Sequence, residues 1–316
     1  MYELIRANKR NSWLLIVVTV AVLIGLSGSI GAAVGQGDPN AGVFGILVGL
    51  LISFFLLLTS WYGGRKLVLS MSNAKKIEKE DSPRLFNVVD EMAIAAGVPM
   101  PDVYILDDSA PNAFATGRDP EHSAVAVTTG LLEKLERDEL QGVIAHEMSH
   151  IRNFDIRFAM LMAVMVGAIA LISDAFLRGF FRSGGRTSRR SSEGKGGGAG
   201  QIVLFLIAVL FAILAPLVGK IIQLAVSRQR EYLADASAVE LTRYPEGLAQ
   251  ALLKISQDKD VLKVANRATQ HLYIVNPIKP FEDRAKALFS THPPIEERVA
   301  RLRSIAQARP DSPEAS

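Results

Sequence analysis

Two long apolar runs near the start of the chain, Trp13 to Val34 and Ala41 to Tyr62, decide most of what this sequence can become. Each is long enough to cross a hydrocarbon layer as a helix, and helices satisfy their own backbone amides where water is absent. The residues between them, Gln36-Gly37-Asp38-Pro39-Asn40, leave room for a tight turn, so residues 1–64 are expected to form a membrane hairpin. The first run lacks the short core and small-residue cleavage site of a removable signal, and is expected to stay as an anchor. Two further runs, Phe158 to Leu177 and Ile202 to Val218, predict a second hydrophobic hairpin over 157–224. They contain Asp174 and Pro216, and a buried or membrane-surface hairpin is the alternative for this pair. The Gly/Ser/Arg-rich linker 178–200 between them reads as flexible.

Composition narrows the classes. Of 316 residues, 49% are hydrophobic and 21% charged, more apolar than a soluble enzyme of this size. The absence of cysteine excludes a disulfide framework, a thiolate nucleophile and every zinc site built on sulfur. A net charge of +3 offers no bulk attraction for nucleic acid. Arg6, Lys9 and Arg10 precede the first run and Arg65 and Lys66 follow the second, while the turn between carries no Lys or Arg. The positive-inside bias therefore places the N-terminus and the segment after residue 64 in the cytoplasm. The linker opposes this: its Arg178, Arg182, Arg186, Arg189, Arg190 and Lys195 would lie outside if both later runs span.

The polar segments predict a mainly helical α+β fold with two to four membrane helices and a small sheet. Residues 65–156 read as an α+β unit: a helix opened by Ser82-Pro83 and stopped by Gly97, then strands at 103–106, 113–115 and 124–128. A further helix is expected from about Asp138 to Asn153, with Gln141 as a capping partner. Residues 225–307 read as helices over 225–241, 246–257 and 295–307, and 308–316 as a disordered tail.

The segment His146-Glu147-Met148-Ser149-His150 carries the chemistry. On a helix, residues four apart share a face, so both imidazoles can reach one zinc at about 2.0–2.1 Å. Glu147 then stands beside the metal, able to take a proton from a water activated there. A catalytic zinc needs a third protein ligand and an open fourth position. Asn153 and Ile156 exclude a third histidine further along the same helix, so the ligand comes from elsewhere, and Glu231 is the candidate. Asp235, one turn later, is placed to take the second N–H of a ligating histidine. His146 lies 12 residues before Phe158, and Glu231 lies 11 after Lys220. Unbroken helices would put both roughly 16–18 Å beyond the membrane edge, at matching height. One zinc per chain is therefore expected. His122 and His271 have no partner in view and read as structural or solvated.

In these features the chain resembles the HtpX family of membrane zinc metalloproteases, relatives of the CaaX prenyl-protein endopeptidases. The resemblance rests on the two N-terminal spans, Pro111 to Gly117, the Ala145 to His150 block and the Glu231 and Asp235 segment. It ends with Ser290 to Pro294 and Glu297-Arg298. It implies a zincin-type endopeptidase of the bacterial inner membrane, multi-pass, with a cytoplasmic catalytic domain. Its substrates would be membrane or unfolded polypeptides, and its role membrane-protein quality control under envelope stress. It further implies that Asn112, Ala113, Phe114 and Ala115 hold substrate along an exposed strand edge, and that His292 approaches the cleft as an oxyanion donor.

Three rivals remain in view. An intramembrane-cleaving protease would bury its HExxH in a hydrophobic span, whereas Arg137, Asp138, Glu139, Gln141, Arg152 and Asn153 surround this one. A catalytically silent zinc adaptor or chaperone would have no use for Glu147. A transporter would need facing polar groups in mid-span, where Asp174 stands alone.

Overall fold

Helices dominate the computed structural model, which describes residues 2–34, 38–164, 228–262, 272–275 and 293–307. Helix α1 (Tyr2–Val34) begins well before its apolar run and packs along α2 (Pro39–Leu58). Pro39 takes the first helical position of α2, and Asp38 caps it by accepting from the Asn40 N–H at 2.9 Å. Glycines let the two helices touch backbone to backbone: a Cβ on Gly31 would meet the Ala41 carbonyl oxygen at 2.3 Å, and one on Gly45 the Ser27 oxygen at 2.2 Å. Through a π-helical turn at Thr59–Gly63, α2 runs on into α3 (Gly64–Met71). Among the described residues this one helix, Asn40–Met71, is long and apolar enough to cross a membrane. Only 17% of its apolar window is buried against protein.

The α+β unit holds a four-stranded mixed sheet, β1 (Lys75–Lys76), β2 (Asp102–Leu106), β3 (Ala113–Gly117) and β4 (Ser123–Thr128), in the order β1-β2-β4-β3. β4 lies at its centre, parallel to β2 and antiparallel to β3, which leaves β3 at the sheet's edge. The alternating sequence of β4 explains its burial on both faces. Val125 and Val127 pack with Leu85 and Val89 of α4 (Pro83–Ala96) and with Leu140 and Ile144 of α6 (Arg137–Arg152). Ala124 and Ala126 face the other way, against Val68 and Leu69 of α3 and against Met160 and Ala163. Helix α5 (Thr129–Lys134) follows β4 directly, with Thr128 capping the Leu131 N–H. The hydrophobic helix is therefore fixed to the sheet by packing, and Arg65 adds bonds to Asp102 at 2.7 Å and to the Ser123 carbonyl at 3.1 Å.

Two expectations about α6 need correction. Its cap is Glu136, not Asp138, and the reciprocal partner is Glu139, whose carboxylate accepts from the Glu136 N–H at 2.7 Å. With Glu136 at the N-cap, Glu139 falls at the third helical position, and Lys254 also bonds it, at 2.8 Å. Nor does α6 run unbroken toward the next apolar segment. It ends at Arg152, and Phe154 takes a left-handed backbone conformation (φ 61°) before helical structure resumes over 155–164. The height argument from continuous helices therefore does not hold on the α6 side.

Helices α7 (Arg228–Thr242), α8 (Pro245–Gln257) and α9 (Ile295–Gln307) complete the described fold. α8 lies close on α6, where a Cβ on Gly142 would meet the Leu248 amide nitrogen at 2.6 Å. The rest of the expected second hairpin beyond residue 164, the linker 178–200, the tail 308–316, His271 and His292 lie outside the described residues.

Candidate metal centre

Helix α6 presents His146 and His150 on one face, and α7 brings Glu231 opposite them. The two Nε2 atoms stand 3.2 Å apart. The Glu231 carboxylate oxygens lie 3.8 Å from each, Oε2 from His146 and Oε1 from His150. A tetrahedral zinc with bonds near 2.0–2.1 Å needs ligand atoms roughly 3.3 Å apart, so this triangle fits a zinc with little adjustment. His146 and Glu231 are buried, and His150 partly so. The ligand set predicted from spacing is thus assembled in space.

Tautomers strengthen the fit. His146 Nδ1 lies 3.0 Å from Asp235 Oδ1, and His150 Nδ1 lies 3.0 Å from Asp155 Oδ2. Each carboxylate fixes a proton on Nδ1 and turns an Nε2 lone pair inward. Two facing lone pairs at 3.2 Å repel unless positive charge sits between them. Electrostatics agree: burial works against the charged form of His150, yet its bond to Asp155 and the charges of Asp155, Glu231 and Glu147 push its pKa up to about 9. The centre calls for a cation.

Glu147 is buried beside the pair. Burial raises its carboxyl above the usual range, only partly offset by the two imidazoles, and it accepts a hydrogen bond from the Ala115 N–H. A carboxylate reluctant to stay charged is suited to receiving a proton.

Behind the ligands stands a residue to which sequence reasoning gave no role. Arg298, on α9, is fully buried and closes a fork on Asp235, Nη2 to Oδ1 at 2.7 Å and Nε to Oδ2 at 2.8 Å. Its Nη1 donates to the Ile274 carbonyl at 3.2 Å and lies 3.8 Å from Glu231. Burial raises the Asp235 pKa, but the guanidinium outweighs it and holds the carboxyl below its ordinary value. Asp155 was also missed. It is brought under His150 by the break at Phe154, and Arg230 Nε stands 3.6 Å from it.

The strand residues proposed to meet substrate occupy mixed positions. Asn112 turns its amide toward the segment at 272–275, donating to the Val275 carbonyl at 3.0 Å, while its Oδ1 accepts from the Ala113 N–H at 3.1 Å. The Ala113 carbonyl accepts from the Ile274 N–H at 3.0 Å. The Phe114 side chain is buried edge-on against Tyr273, ring centroids 5.1 Å apart. Ala115 is the residue whose main chain reaches Glu147. His122 lies away from this centre and is not partnerless: its Nδ1 is 2.6 Å from Asp119.

The comparisons with known proteins agree with this geometry. The model of peptidase family M48 matches residues 79–306. A protein named "Protease HtpX homolog" from Dictyoglomus thermophilum is 45% identical over 306 residues, covering 97% of this chain and 95% of its own. One of the same name from Listeria monocytogenes serotype 4a is 45% identical over 310 residues, covering 96% and 100%. The crystal structure of S. mikatae Ste24p aligns with 96% of this chain and 67% of its own, with a TM-score of 0.50 and 19% identity, a likeness of fold.

Proposed function

The chain belongs to peptidase family M48 and is a metalloprotease, and from that premise we propose a zinc-dependent endopeptidase that cuts membrane or unfolded polypeptides at the cytoplasmic face of a bacterial inner membrane. The observation that carries the reading is the pair of inward-facing Nε2 atoms, 3.2 Å apart and opposed by Glu231. His146, His150 and Glu231 would hold the zinc, one per chain, as a three-ligand site of the catalytic kind. When bound, the metal polarises the scissile carbonyl and lowers the pKa of water.

The chain's own residues do the rest. Glu147 takes the proton released as water attacks and hands it on to the departing amine. Asp235 and Asp155 keep the imidazoles in the tautomer that ligates. Strand β3 is the sheet's last, and an extended peptide would lie along it through main-chain bonds that read little sequence. That pairing would start beyond Ala113, whose carbonyl is already taken by Ile274. His292 is kept as the proposed oxyanion donor by resemblance alone. A role in membrane-protein quality control is part of the proposal by resemblance; the Arg65–Asp102 contact supports only that the sheet is held against the apolar helix.

The test is Glu147→Gln assayed on a detergent-solubilised membrane-protein substrate. Cleavage should fall by at least about a thousandfold while zinc stays bound. Undiminished cleavage would remove Glu147 from the role of base.

A further inference from the structure

Where the apolar helix meets the sheet, the chain builds a second polar feature that peptide cleavage does not use. A cavity of about 60 Å³ is lined by Trp61, Tyr62, Arg65, Lys66, Arg118, His122 and Met160. Trp61 and Tyr62 belong to the π-helical turn, and Arg65 and Lys66 are the first charges after the apolar run. Aromatic residues at that depth favour the boundary between lipid and water. Tyr62 is 72% exposed, and Leu58 and Leu67 on either side are exposed as well, so the cavity opens beside a lipid-like surface.

Its charges do not balance. The Arg118 guanidinium lies 5.9 Å from the Trp61 ring centre and 5.7 Å from that of Tyr62. Arg157 stacks on Trp61 as well, at 5.4 Å, and donates to the Arg118 carbonyl. Two carboxylates pair with this group, and a third, Glu121, stands within 4.8 Å of Asp119 and His122, still fewer than the cations Arg65, Lys66, Lys76, Arg118 and Arg157. Asp102 is shared between Arg65 and Lys76, and Asp119 between Arg118 and His122. Among the described residues, Lys66 and Arg157 have no carboxylate within 4 Å.

We propose that this cavity binds the phosphate-bearing headgroup of an anionic phospholipid, with Lys66 and Arg118 of its lining supplying the positive charge, Arg157 adding to it through its stacking on Trp61, and Trp61 and Tyr62 forming the interfacial walls. The site goes beyond the general attraction of basic flanks for an anionic membrane, because it is a formed pocket with named walls. It depends on neither zinc nor Glu147, so it stands or falls apart from the peptidase reading. A soluble phosphate would satisfy the same cations. The exposed apolar side chains flanking the cavity are what favour a lipid.

The test uses the full chain in detergent, with native mass spectrometry in an equimolar mixture of phosphatidylglycerol and phosphatidylcholine of identical acyl chains. Wild type should retain the anionic lipid in clear preference, and Lys66→Gln should lower that preference about fivefold, the effect expected for one surface charge. Lys66 is exposed, so the variant should fold. Lys66→Arg should restore the preference, and Lys79→Gln, an exposed lysine that does not line the cavity, should leave it unchanged. Equal retention of both lipids by wild type, or an equal loss in the Lys79 variant, would overturn the site. Displacement of the lipid by millimolar inorganic phosphate would overturn the lipid assignment and leave a soluble-anion site.

Discussion

Asp235 and Arg298, 63 positions apart in sequence, meet in a buried fork of 2.7 and 2.8 Å directly behind His146. The fork does two things at once. It keeps Asp235 charged despite burial, and it orients the carboxylate so that Oδ1 stands 3.0 Å from His146 Nδ1. Asp235→Asn would keep the shape while weakening the acceptor. Zinc affinity should fall by about 10–100-fold, the usual effect of removing such a carboxylate partner. Chelator competition measures this, and unchanged affinity would show that the tautomer is set by something else.

Arg298 itself is a stability residue as much as a site residue. Arg298→Ala leaves Asp235 buried without its counter-charge, and removal of one partner from a buried pair costs about 3–5 kcal/mol. Thermal unfolding in detergent should show a large drop even in protein stripped of metal. A small shift there would mean that water enters and replaces the guanidinium.

The glycine contact between α1 and α2 predicts a steric result. Gly45→Val forces the helices apart at the Ser27 carbonyl, and overpacking of this kind costs about 1–3 kcal/mol. Gly25→Ala is the control, since a Cβ there meets nothing within 4 Å. Equal melting temperatures for the two variants would contradict the packing described.

Asp102 couples the apolar helix to the sheet in a pH-dependent way. Burial raises its pKa, but Lys76 and Arg65 outweigh it, and the net direction is down from 3.8. A carboxyl depressed on folding adds stability above its unfolded value and loses it as pH falls through the folded one. Wild type should therefore melt above Asp102→Asn at pH 7, and the gap should shrink as pH falls below about 4. A gap that stays constant with pH would mean that the Arg65 and Lys76 contacts contribute nothing through charge.

How far the sequence could be read depended on whether the physics was local. His146, Glu147 and His150 were legible because four residues make one helical turn, and Glu231 with Asp235 for the same reason. The strand alternation of Ala124 to Thr128 likewise survives in a sheet buried on both faces. Asp155 was not legible. A helix end near Asn153 is expected, but Arg152-Asn153-Phe154-Asp155 contains neither glycine nor proline to mark Phe154 as the left-handed residue that turns Asp155 back under His150. Matching helix heights point to His146, His150 and Glu231, which the fold does bring together, but they assume a continuity that this break removes. In the sequence Arg298 is one more charge on a charged helix, because its partners lie on α7 and in the 272–275 segment. The Glu136–Glu139 cap is hard to read from sequence because glutamate is not among the side chains favoured at an N-cap, whereas Asp138 is of a favoured type.

The most direct measurement is the zinc content of the purified full chain by elemental analysis, for wild type, Glu147→Gln and Glu231→Ala. Wild type and Glu147→Gln should each carry about one zinc per chain, and Glu231→Ala close to none. A folded Glu231→Ala protein with its full complement of zinc would contradict the three-ligand centre on which the reading depends.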